Sequence, residues 1–131
     1  LQTQTALARG NVVLAREHLA DAEAFLAPAW KAQQNEAMRL VYAQHLQLSG
    51  ESASMASDAD AAAAAWRQAR EVLTAGEAGP LPFDRLDPLV RSLHHLGLAG
   101  QARPHLERLE AAGYVPLRPW PWSQTVAATR P

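Results

Sequence analysis

Three stretches of this chain repeat one spacing. A small, turn-forming residue comes first: Gly10, Ser57 and Gly97. Five positions later stands an alanine: Ala15, Ala62 and Ala102. Four beyond that is a large apolar residue, Leu19, Trp66 or Leu106, and three further on are Ala22, Ala69 and Leu109. Steps of three and four place these residues on one face of an α-helix. The turn residue lets the chain reverse direction between two helices. The alanine lets their backbones approach, and the large residue fills the groove they leave. A chain that does this repeatedly is expected to fold as antiparallel helix–turn–helix units stacked side by side.

Composition agrees with an all-α fold. Alanine, the strongest helix former, is frequent, while Tyr and Phe total only four residues. The β-branched residues that favour strands are sparse. Hydrophobic residues make up 48% of the 131 positions and charged residues 19%, which suits one domain with a modest core.

The periodicity predicts five to six helices. A short stretch covers about 3–9 and stops at Gly10-Asn11. The next covers 12–33, with Val12, Ala15, Leu19, Ala22, Phe25 and Leu26 as its buried set, and Pro28 is expected to end or kink it. Asn35 is a plausible N-cap for a helix running to about 55, with Met38, Val41, Tyr42, Leu46 and Leu48 as its apolar pattern. Gly50 lies inside it, at a cost of about 1 kcal/mol relative to alanine. Asp58 and Asp60 are candidate caps for a helix over 61–74. Residues 76–82, with two glycines and two prolines, form the strongest break. A helix over 83–96 carries Leu86, Leu89, Val90, Leu93 and Leu96, with Pro88 in its first turn. The last helix covers 99–112, between Gly97 and Gly113. The organisation is therefore 1–113 as helical repeats, divided at about 1–33, 35–75 and 83–113, followed by a Pro/Trp-rich tail over 114–131. Two tryptophans in that tail, Trp120 and Trp122, are costly to expose, and at least one is expected to pack back on the last helices.

At the matched positions the repeated pattern resembles the second helix of the tetratricopeptide repeat family. That resemblance implies an α-solenoid with a right-handed superhelical course. It also implies that the first helices of successive repeats line a groove for a protein or peptide. The groove positions carried over are Gln44, Gln47 and Glu51 in one repeat, and Asp84, Asp87, Arg91 and His94 in the next. Asp87, Arg91 and His94 follow spacings of four and three, so they share a helix face. The chain departs from the family in two ways. Its segments are unequally spaced and longer than 34 residues, and the family's first-helix aromatic is absent. The ending from Leu96-Gly97 to Gly113-Tyr114 is similar to the C-terminal helical-repeat regions of larger bacterial signalling proteins, such as serine/threonine kinases. The expectation is thus a binding segment of a larger protein. The alternative is a structural, oligomerisation or sensor segment, including a homodimer through the open N-terminal end.

Other functions find little purchase. The net charge is −1, without the basic stripe of a nucleic-acid binder. There are no cysteines, which excludes thiolate metal sites and thiol catalysis. His94 and His95 are adjacent, so on a helix they diverge by about 100° and do not chelate together. No phosphate loop or nucleophile elbow occurs. We therefore expect no catalytic residues, no metal, no cofactor and no membrane insertion, and the compartment stays open between cytoplasm and periplasm. Trp66 is expected in the core, and His18 and His45 at the surface.

Overall fold

The computed structural model describes residues 12–77 and 79–122. All regular structure among them is helical. The order is α1 (Val12–Ala32), α2 (Glu36–Met55), α3 (Ala59–Thr74), a 3-10 turn (Phe83–Arg85), α4 (Leu86–His95) and α5 (Ala99–Ala111). The stretch expected at 3–9, and with it Gly10, lies outside the described residues.

The turn residues do what their chemistry suggests. At Ser57 φ is +61° and at Gly97 +76°, the left-handed region that lets a chain leave a helix sharply. At both, the helix closes the same way. Ser57 N donates to Ser54 O and Asp58 N to Ala53 O, while Gly97 N donates to His94 O and Leu98 N to Leu93 O, at 2.8 to 3.0 Å. The α2–α3 and α4–α5 turns are thus the same structure 40 positions apart. The pattern residues that follow are also equivalent: Ala62 and Ala102 are buried, as are Ala69 and Leu109. Gly113, at φ +73°, closes α5 in the same manner, with Tyr114 N donating to Leu109 O. Asn35 caps α2, its Oδ1 accepting from Met38 N at 2.8 Å, and Asp58 caps α3 through Ala61 N at 3.2 Å.

Several expectations need correction. Helix α1 runs through Pro28 to Ala32. Proline removes one hydrogen bond near the end, but Trp30, 8% exposed, pins the last turn into the core beside Leu26 and Ala27. Phe25 is 73% exposed, because the buried stripe follows Ala15, Leu19, Leu26 and Trp30 and leaves Phe25 about 100° away. Val41 is likewise half-exposed. The helix expected over 83–96 begins as a 3-10 turn, with Arg85 N bonded to Pro82 O. Pro88 has no amide to bond back to Asp84, so this end cannot close as a full α-turn.

The core has two parts. The larger gathers Trp30, Tyr42, Leu46, Leu73, Leu86, Leu89, Leu93 and Leu109, with Trp120 and Trp122 packed against it. The smaller holds Ala53, Ala62 and Trp66 inside the α2–α3 hairpin. A Cβ at Gly50 would stand 2.2 Å from Trp66 Nε1, so Gly50 lets the indole lie directly on the α2 backbone. Its helix-propensity cost is offset by burial of Trp66, which is 8% exposed. Polar links add register. Tyr42 donates to Glu23 Oε1 at 2.9 Å and accepts from Gln68 Nε2 at 2.9 Å. His45 Nε2 lies 2.6 Å from Glu23 Oε2. His45 was expected at the surface but is 5% exposed, drawn in by that carboxylate.

Gly50→Ala should destabilise the fold by about 1–3 kcal/mol through overpacking against Trp66, although alanine is the better helix former. Urea unfolding checks it; a neutral or stabilising effect would contradict the close approach.

Candidate binding face

Helices α2 and α4 touch along one side of the molecule. Gln47 joins them: its Nε2 donates to Pro88 O at 2.5 Å and Ser92 Oγ at 3.2 Å. At 4% exposure Gln47 is a link between helices and offers nothing to a partner. Gln44 and Asp84 are exposed and Asp87 half-buried. All three line one cavity of about 540 Å³ together with Arg91, Tyr114 and Leu117. Glu51 lies in a second cavity of about 370 Å³, with Trp66, His95 and Pro119. His94 faces a third, of about 410 Å³, between α4, α5 and Trp122. The seven expected groove residues are therefore divided: four of them gather around Arg91 in the first cavity, and Glu51 and His94 face elsewhere.

What divides the first two cavities is the chain's own segment 114–122. Arg118 borders both. Exposure alternates along it: Tyr114, Pro116, Arg118 and Trp120 are half-buried while Val115, Leu117 and Pro119 are exposed. That alternation over 114–120 lays one side of the segment on the surface, and the chain bends at 117–118. Arg91 is the fastening. Its Nε donates to Asp87 Oδ1 at 2.5 Å, its Nη1 to Pro119 O at 3.0 Å and its Nη2 to Arg118 O at 2.6 Å. Its guanidinium also stacks over the Trp120 ring, 4.6 Å from the centroid. Tyr114 donates to Asp87 Oδ2 at 2.5 Å, and Arg118 reaches Glu51 at 3.5 Å. Trp120 stacks on Trp122 at 5.1 Å, and Trp122 lies 4.8 Å from the His94 ring. Both tail tryptophans pack back, as expected for at least one.

No protein-family model, curated protein or solved structure matches this chain. The face must therefore be read from its own chemistry. It presents a planar cation to main-chain carbonyls, an aromatic contact, and a carboxylate to a basic side chain. These are the elements of peptide recognition. Among the described residues, no three His, Asp or Glu side chains gather as metal ligands would.

Sequence reasoning placed Arg91 and Asp87 on one helix face, and they are paired there. It did not place the tail against them. The available signal was Arg118-Pro119-Trp120, a basic residue and an aromatic flanking a proline that holds the chain extended.

Burial and buried pairing carry two expectations. Arg91 is 6% exposed. Arg91→Ala should cost about 3 kcal/mol, since it leaves Asp87 without its cation and the tail carbonyls without a donor. Urea unfolding followed by tryptophan fluorescence measures the loss; a cost below 1 kcal/mol would contradict the fastening.

His95 stacks on Trp66, centroids 4.4 Å apart and planes within 8°. Burial pushes its imidazole from 6.5 down to about 4, and the nearby His94, Arg91 and Arg118 add to this. Between those values the unfolded chain takes up a proton that the folded chain refuses. The resulting stability is present above about pH 6.5 and lost as pH falls toward 4. The thermal midpoint should drop over that window, and the drop should be smaller in His95→Gln.

Proposed function

We propose that this chain is a protein- or peptide-binding helical-repeat module whose binding face is the α2–α4 side. The single observation that carries the reading is the manner in which that face already holds a non-repetitive peptide segment. Segment 114–122 is gripped through two main-chain carbonyls, one ring and one basic side chain. The recurrence of the α2–α3 turn in α4–α5 supports the repeat character, and with it the likeness to tetratricopeptide repeats. In this reading the chain acts as one binding segment of a larger protein.

A structural or oligomerisation role is the alternative. It is favoured by the outer side of α1, where Leu14 and Phe25 stand three turns apart and are 40% and 73% exposed.

Selection of displayed random peptides on the chain, followed by amide chemical-shift mapping, tests the proposal. Shifts should cluster at Gln44, Asp84, Asp87 and Arg91, and extend to Glu51 where the basic residue binds. No ligand, or a cluster elsewhere, would refute it. A dimer in sedimentation whose shifts centre on Phe25 would favour the alternative instead.

A further inference from the structure

We propose that residues 114–122 are a built-in competitor for the α2–α4 face, and that the outside partner is a peptide segment of the same chemistry. That partner carries a basic residue, a proline and a tryptophan in succession, and it presents two successive carbonyls to Arg91. The inference rests on the peptide-binding reading of this face.

The tail is held as a ligand is held. Its anchors are side chains of the face acting on its backbone and on Arg118 and Trp120. Among the described residues, 115–119 make no main-chain to main-chain hydrogen bond. Each of these anchors would work equally for a segment with no covalent link to α5. The link itself is a turn at Gly113, where φ is +73°. Tyr114, bonded to Asp87 and packed on the core, marks where the bound segment begins.

The face also offers donors to an occupant. Arg91 has five N–H donors in a fixed fork, and Asp87 meets only part of that need. The carbonyls of Arg118 and Pro119 complete the set in a buried position. Departure of the tail hands these two acceptor positions to water, and another segment with two adjacent carbonyls can take them back. The site therefore favours a partner with two adjacent carbonyls on a backbone that a neighbouring proline restricts, at low entropic cost. Glu51 adds a preference for a basic residue, and the Arg91 stack a preference for an aromatic ring directly after the proline.

Tethering makes the competition strong. A short linker presents the tail at roughly millimolar effective concentration. The apparent affinity for an outside segment is reduced by the fraction of molecules whose face is covered. Weakening the tail without touching the face must therefore tighten binding of the same segment supplied separately.

The test uses full-length chains and a fluorophore-labelled nonapeptide, Tyr-Val-Pro-Leu-Arg-Pro-Trp-Pro-Trp. Binding is compared for the unaltered chain, Arg118→Ala, and Arg118→Ala/Trp120→Ala, with helical circular dichroism as the check on folding. We expect a gain in affinity of about tenfold or more for the double variant. A smaller gain is expected for Arg118→Ala, which keeps the core intact should the double variant unfold. Adding Arg91→Gln should abolish the gain. Equal affinity for all chains of a ligand obtained by peptide selection would overturn the competitor while leaving the binding face standing. Failure of every peptide to bind any chain would remove both. A dimer that the nonapeptide dissolves into monomers would put a second copy's tail on the face and overturn the outside partner.

Discussion

A buried guanidinium at the junction of the two hairpins sets the rest of the molecule. Arg85 is 4% exposed. Its Nε and Nη2 each donate to Glu36 at 2.7 Å, its Nη1 to Leu73 O at 3.2 Å, and its Nη2 reaches Glu77 at 3.1 Å. The beginning of α2, the end of α3, the connecting loop and the entry to α4 thus meet on one cation. The hydrogen bond from Arg85 holds the Glu36 carboxyl below its ordinary range, and Glu36 in turn raises Arg85. A buried charge tolerates few arrangements, because any other leaves it unpaired. This clamp determines where α4 starts. It thereby determines which α4 residues lie beside α2.

Alanine-rich helices need such devices. Small side chains let backbones approach closely but interlock weakly, so packing by itself leaves the helices room to slide. The polar links remove that freedom. Glu23, Tyr42, His45 and Gln68 tie α1, α2 and α3 together. Gln47 ties α2 to α4, and Arg91 ties α4 to the tail. Trp66 on Gly50 adds a large interlocking contact inside the α2–α3 hairpin. Binding geometry on the α2–α4 face is a consequence of these fasteners.

Much of the helical layout was legible beforehand because its causes are local. Asn35 and Asp58 cap the helices they precede, and Ser57 and Gly97 adopt the turn conformation their spacing implied. The misses share one physical origin. Pro28 was weighed by its missing amide, yet Trp30 two residues on is held by distant core residues. His45 was weighed as a polar residue, yet Glu23 from another helix satisfies it. Gln47 has the position of a groove residue and the contacts of a core one, because α4 lies over it. In each case a tertiary partner outweighed a local preference.

The repeated turn–alanine–large-apolar spacing by itself determined that the described residues fold as helices separated by sharp turns. Propensity, capping and positive φ act within a few residues, so the sequence carries them openly. Which face of those helices is covered was decided only by the tertiary structure. Arg91 finds its acceptors 27 and 28 residues away, and Glu51 meets Arg118 across 67. No periodicity encodes such distances. They follow from the clamp at Arg85 that lays α4 on α2, and from the turn at Gly113 that brings the proline–tryptophan segment back across the face.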